Sequence, residues 1–253
     1  MAEQTAKPDQ ASIEILVRGA EKMCDNAERL FFEAQTLAKI GATARALCLH
    51  QISLEECSKI NQLGAWAVSL HVGLEVNQKK VLAAFGRHSS KNKHNAFMLD
   101  RSKAEDEAIA RNDWKAAIEA FKQTQDEFHR ASNDAKNASL YVDWADGEFL
   151  APSERITAEM LNDIEQRNAT FLGYAFNELK MFRRLRDKPD VMRELVSGFL
   201  QKAKKIHEEK SDELVSAMDE LLADFFEEGI SKLAEQNEAA TGGTSAQAAG
   251  DEG

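Results

Sequence analysis

An all-α protein is what this sequence predicts, and three observations carry the prediction. Only 3 prolines and 13 glycines fall in 253 residues, so few breakers punctuate the chain and its elements run long. Hydrophobic residues make up 43% and charged residues 30%, the balance of a soluble, folded, helix-rich chain. Apolar residues recur at steps of three and four, and strand-like alternation is absent. The length suits one large helical domain or two small ones.

The elements follow in order. Residues 1–10 are read as a disordered N-terminus; "MAEQTAKPDQ" lacks the basic, apolar, small-residue order of a secretory signal. No apolar run approaches the roughly 20 residues that span a bilayer, so the expectation is a cytoplasmic protein away from membranes. Leu16, Ala20, Met23, Ala27, Leu30, Ala34 and Leu37 line one face of a first helix, which Gly41 stops. Thr43 starts a second, running to about Gly73. It is apolar on several sides (Leu47, Cys48, Leu49, Ile52, Leu54, Ile60, Leu63, Trp66), which predicts a central place in the bundle. Cys24, Cys48 and Cys57 form no CxxC pair and lie in apolar helical context, as reduced core thiols do.

A shorter piece, Val76–Phe85, leads into the basic stretch "FGRHSSKNKH". A polar helix is then predicted over Ser102–Ala138, with a thin stripe of Trp114, Ile118, Phe121 and Phe128. "SLYVDWADGEFLAP" interrupts it with an Asp146-Gly147 turn, and Pro152 opens the next helix. That helix carries Leu161, Ile164, Phe171, Leu172, Ala175, Leu179 and Phe182. Pro189 breaks it, two acidic amphipathic helices occupy 189–237, and the small polar residues of 238–253 read as a disordered tail.

The formal net charge is −11, yet Lys79–Lys103 holds seven Lys/Arg against Asp100 alone, a local +6 that leaves −17 to the remainder. A basic island in an acidic body suits local phosphate recognition, or a loop that pairs with acids elsewhere. No GxxxxGK, GxGxxG, Glu-x-x-His or HExxH pattern occurs, so neither metal nor cofactor is expected.

Three constellations carry chemistry. Arg87 and His94 lie seven steps apart. A continuous helix brings them to one face; a new helix capped by Ser89 or Ser90 sets Arg87 before a positive helix end. Either way the arginine can hold a phosphate bidentately and the imidazole can move a proton. The bland alternative is a solvated basic loop. "LEECSK" sets Glu55 and Glu56 within reach of Lys59, as a surface ion pair or as support for a site. In "KNASLYVDWADGEFLAP", Tyr141, Trp144 and Phe149 beside Lys136 and Asp143 suit base stacking, or an ordered loop packed on the bundle.

Taken together, "ARALCLHQISLEECSKI", "KNKHNAFML" and "KNASLYVDWADGEFLAP" resemble the successive motifs of AbiV-type abortive-infection proteins, placed in the HEPN superfamily, over roughly Glu14–Phe182. The resemblance implies a HEPN-like helical bundle over 11–188 with a C-terminal helical extension. It implies a homodimeric, metal-independent endoribonuclease of phage defence that stops translation, with an R-x(4–6)-H motif in a composite cleft. By that analogy Arg87 holds the scissile phosphate and His94 assists 2′-hydroxyl attack. His88 is the polar neighbour, Glu55 or Glu56 orients Arg87, and Lys59 supports the site. Lys91, Lys93, Lys136 and Tyr141 are the candidate RNA contacts, and a phage-encoded activator the candidate trigger. HEPN domains without catalysis also exist, so a module that senses a phage or host protein is the alternative.

Overall fold

The computed structural model describes residues 12–71, 73–145 and 147–209. The expected disordered N-terminus, Asp146, the second acidic helix and the tail lie outside the described residues. Within them are nine α-helices and a two-stranded hairpin.

Local chemistry sets most element ends. Helix α1 (Ile13–Lys39) begins at Ser12, whose hydroxyl accepts from the Ile15 N–H. It ends where Gly41, at φ +79°, takes the left-handed turn. The Gly41 and Ala42 N–H groups then donate back to the Ala38 and Leu37 carbonyls, a Schellman closure that a residue with a Cβ makes only under strain. Helix α2 (Thr43–His71) follows, then α3 (Gln78–Phe85), α4 (His88–Asn95) and a 3-10 turn over Ala96–Met98.

The single helix expected over Ser102–Ala138 is two, α5 (Lys103–Ala110) and α6 (Trp114–Leu140). Asn112 sits at φ 53° and closes α5, and Asp113 caps α6 by accepting from the Ala116 N–H. Asn-Asp is a stop followed by a start, and no apolar periodicity records it. Ser102 and Glu105 form a reciprocal capping box at the start of α5, and Thr124 of α6 donates to the same Glu105 carboxylate. The inward face of α6 also departs from expectation. Ala117, Ala120 and Phe128 are buried, and Ile118 is exposed.

Strands β1 (Asp143–Ala145) and β2 (Glu148–Leu150) pair antiparallel, with Trp144 opposite Phe149, and Gly147 supplies φ +92° at the turn. Pro152 opens α7 (Pro152–Arg155), and Thr157 caps α8 (Ala158–Asp187). The turn-rich segment is therefore a hairpin, and its aromatics are not packed: Tyr141, Trp144 and Phe149 are all exposed.

The chain divides after Pro189 into two compact units. In the first, α2 is central as its all-round apolarity predicts, touching α1, α8, α6, α4 and α7. The seven apolar residues read from the α8 sequence are all buried. Gly64 of α2 admits the ring of Phe182, whose Cζ lies 3.0 Å from where a Cβ would stand. Where α1, α2 and α8 meet, the core is polar. Asn168 donates to His50 Nδ1 at 3.0 Å, and the Ser53 hydroxyl is shared between the Ala27 carbonyl at 2.8 Å and Asn168 Oδ1 at 3.1 Å. The cysteines are free and buried, and burial pushes the Cys24 thiol up to about 11. In the second unit the described element is α9 (Pro189–Glu209).

Candidate functional site

The basic stretch is not a loop. The continuous helix does not hold, because α3 stops at Phe85. A new helix does begin here with Arg87 at its N-terminal end, but Arg87 itself is the N-cap of α4, without a side-chain cap bond, and neither Ser89 nor Ser90 caps it. The short helix is too polar to bury an apolar face. It is held instead by hydrogen bonds to its neighbours: Ser58 of α2 donates to the Lys91 carbonyl, Asn95 donates to the Leu54 carbonyl, and Gln125 of α6 donates to the Lys93 carbonyl. Lys93 pairs with Asp126 of α6.

At the centre stands Glu55 of α2, 3% exposed. Lys136 of α6 donates to its Oε1 at 2.8 Å, and Lys91 of α4 reaches Oε2 at 2.5 Å. His88 brings Nδ1 within 2.8 and 2.6 Å of the two oxygens. Burial alone would raise the Glu55 pKa, but hydrogen bonds from Lys136, Lys91 and His88 outweigh it and hold the carboxyl below its ordinary range. One carboxylate between two buried ammonium groups leaves a formal surplus of positive charge under the surface that Arg87 and His88 share. Arg87 is exposed and, among the described residues, its guanidinium has no hydrogen bond or ion pair.

His94 has a different environment. Its Nε2 meets Asn61 of α2, whose amide nitrogen donates to Glu178 of α8. Its ring lies 5.5 Å from that of Phe97. Burial holds its pKa below the usual imidazole value, so at neutral pH it is uncharged. Burial pushes the Glu178 carboxyl up to about 7, against the lowering bond from Asn61.

Several assignments read from sequence shift accordingly. Glu55 engages His88, Lys91 and Lys136, and Glu56 engages Lys59; neither carboxylate holds Arg87. Lys91 and Lys136, candidate RNA contacts, are 6% and 8% exposed and turned to Glu55, so their charge acts from beneath. Tyr141 is exposed at the end of α6, one turn past Lys136. Asn61, Glu178, Ser58 and Asn95 carry no local signal in the sequence, since their roles depend on partners 33 to 117 residues away. A cavity of about 370 Å³ at the start of α2 is lined by Thr43, Arg45, Ser139 and Ser153 among others, and Ser139 donates to the Lys136 carbonyl at 2.6 Å.

A bundle of long helices with a polar cluster clamped between its second, fourth and sixth members fits a HEPN-type helical domain. The chain belongs to the AbiV family of that class: the HEPN_AbiV family model, described as AbiV, matches residues 15–173. The chain is also 62% identical over 110 residues to the "Uncharacterized protein y4gJ" of Sinorhizobium fredii (strain NBRC 101917 / NGR234), a match over 44% of this chain and 57% of the relative. It thus spans less than two thirds of that relative's length. No solved structure matches the chain.

Proposed function

We propose that this AbiV-type HEPN protein is a cytoplasmic, homodimeric, metal-independent endoribonuclease of abortive infection, which stops translation by cutting RNA after a phage-encoded trigger. The observation that carries the reading is the exposed Arg87, unpartnered among the described residues, next to His88, which joins a buried cluster with a formal surplus of positive charge. Such a guanidinium holds a phosphodiester by two parallel hydrogen bonds and stabilises the charge that develops on its oxygens. An α4 imidazole moves the proton of the ribose 2′-hydroxyl, the hydroxyl oxygen attacks phosphorus, and the bond to the 5′-oxygen breaks.

The test is expression of wild type and Arg87→Lys in cells, with growth and total RNA followed, and cleavage assayed with purified protein. Lysine keeps the charge and loses the planar fork. Cleavage is expected to fall by roughly 10²–10³-fold, the usual effect of removing such a donor, while chelator leaves the wild-type rate unchanged. Equal cleavage by both proteins would sink the reading.

A second reading, a non-catalytic module that binds a phage or host protein, is favoured by the hairpin. Its exposed Trp144 and Phe149 rings meet edge to face at 5.0 Å, with Tyr141 and Val142 exposed beside them. Wild type that neither cuts RNA nor arrests growth would favour this module.

A further inference from the structure

We infer that His88, positioned by Glu55, is the proton-transferring imidazole of the Arg87 site, and that His94 serves the structure. The inference rests on the ribonuclease reading and deepens it, since the motif spacing points to His94 and the geometry does not.

The two imidazoles of α4 are built in opposite ways. The His88 side chain is 56% exposed, and its Nδ1 lies against a carboxylate that is 4% exposed. The contact engages Nδ1, and Nε2 has no hydrogen-bond partner among the described residues. A carboxylate at Nδ1 accepts the Nδ1 proton, so in the neutral ring Nε2 carries the lone pair. It also stabilises the imidazolium that forms when Nε2 takes up a proton. Glu55 does not need His88 for charge balance, because Lys91 and Lys136 already oppose it at 2.5 and 2.8 Å. Of its three partners His88 alone is exposed, and it directly follows Arg87, whose guanidinium has no partner among the described residues. His94, in contrast, is tied through Nε2 to Asn61, which is tied in turn to Glu178. That chain joins α4, α2 and α8 and engages His94 in interhelical packing through one of its ring nitrogens.

The step balances as follows. Nε2 of neutral His88 takes the proton from the 2′-hydroxyl, the O2′–P bond forms, and the P–O5′ bond breaks. The products are a 2′,3′-cyclic phosphate and a 5′-hydroxyl whose proton comes from water, and the imidazolium returns its proton to solvent. Arg87 holds the non-bridging oxygens throughout. Glu55 is a positioning residue, because it acts through His88.

Two measurements on the full-length protein decide it. With ¹⁵N-labelled imidazoles, and the His88 signals assigned by their loss in His88→Ala, neutral His88 is expected as the Nδ1–H tautomer. The Nε2–H tautomer, the commoner one for a free imidazole, would overturn the Glu55 coupling. Cleavage of a short RNA is then compared among wild type, Arg87→Lys, His88→Ala and His94→Ala at equal folded fraction. The exposed His88→Ala is expected to lose roughly 10²–10⁴-fold and to regain rate with added imidazole, which a structural role would not give. His94→Ala is expected to lose thermal stability and, per folded molecule, to lose less rate than His88→Ala. If His88→Ala cuts at the wild-type rate while Arg87→Lys does not, the inference fails and the ribonuclease reading stands. If wild type does not cut at all, both fail.

Discussion

Glu178 shows how one buried residue makes stability depend on pH. Burial is the larger influence on it and raises its pKa from 4.5 to about 7, although Asn61 donates to it. A carboxyl that holds its proton more tightly folded than unfolded favours the folded state least when ionised. Stability therefore falls as pH rises from about 4.5 to about 7 and is level above that. Glu178→Gln keeps an acceptor for Asn61 and carries no charge. It is expected to be more stable than wild type at pH 8, on the order of 1–3 kcal/mol, with the advantage gone near pH 4. Thermal melts at both pH values check this, and a gap that does not change with pH would count against it. Glu55 runs the other way. Its partners hold it below the ordinary range, so its contribution is present above the unfolded carboxyl value and is lost as pH falls through the folded one.

Between elements, two of the buried joints are polar. Asn168 of α8 has no exposed surface and serves two residues of α2 at once, His50 and Ser53. Burial lowers the His50 pKa, so that ring stays neutral and needs a donor for its Nδ1 lone pair. Asn168→Leu removes that donor without leaving a large void. The variant is expected to be about 1–3 kcal/mol less stable, the usual cost of stranding a buried polar atom. Urea unfolding reads the change as a lower midpoint at unchanged slope; an unchanged midpoint would show that the contacts contribute nothing net. The α4 joint works alike, since its carbonyls accept from Ser58 and Gln125. A helix with almost no apolar side chains thereby keeps a defined position.

At the scale of the whole molecule, the proposed cleft needs a second copy. Arg87 is exposed, and a symmetric partner would bring a second Arg87 to the same substrate. Sedimentation at micromolar concentration is expected to report a homodimer. A strict monomer would remove the composite cleft while leaving the Glu55 cluster intact, because all four members of that cluster come from one chain.

Local signals were legible in the sequence. Gly41, Pro152 and Pro189 mark element boundaries because φ > 0 and a missing N–H are properties of one residue. The α1 and α8 faces were legible for a similar reason, since a single period fixes which side turns inward. The basic island and the AbiV motifs are legible for the same cause: both are contiguous. The roles within those stretches were not legible. Glu55 is 33 residues from His88 and 81 from Lys136, and no local pattern says which cation a buried carboxylate will meet. Two lysines that look like RNA contacts in sequence are buried, and the histidine at the motif spacing is bonded to Asn61. Only the packing of α4 between α2 and α6 decides which imidazole faces solvent, because exposure and pairing depend on residues brought together from across the chain.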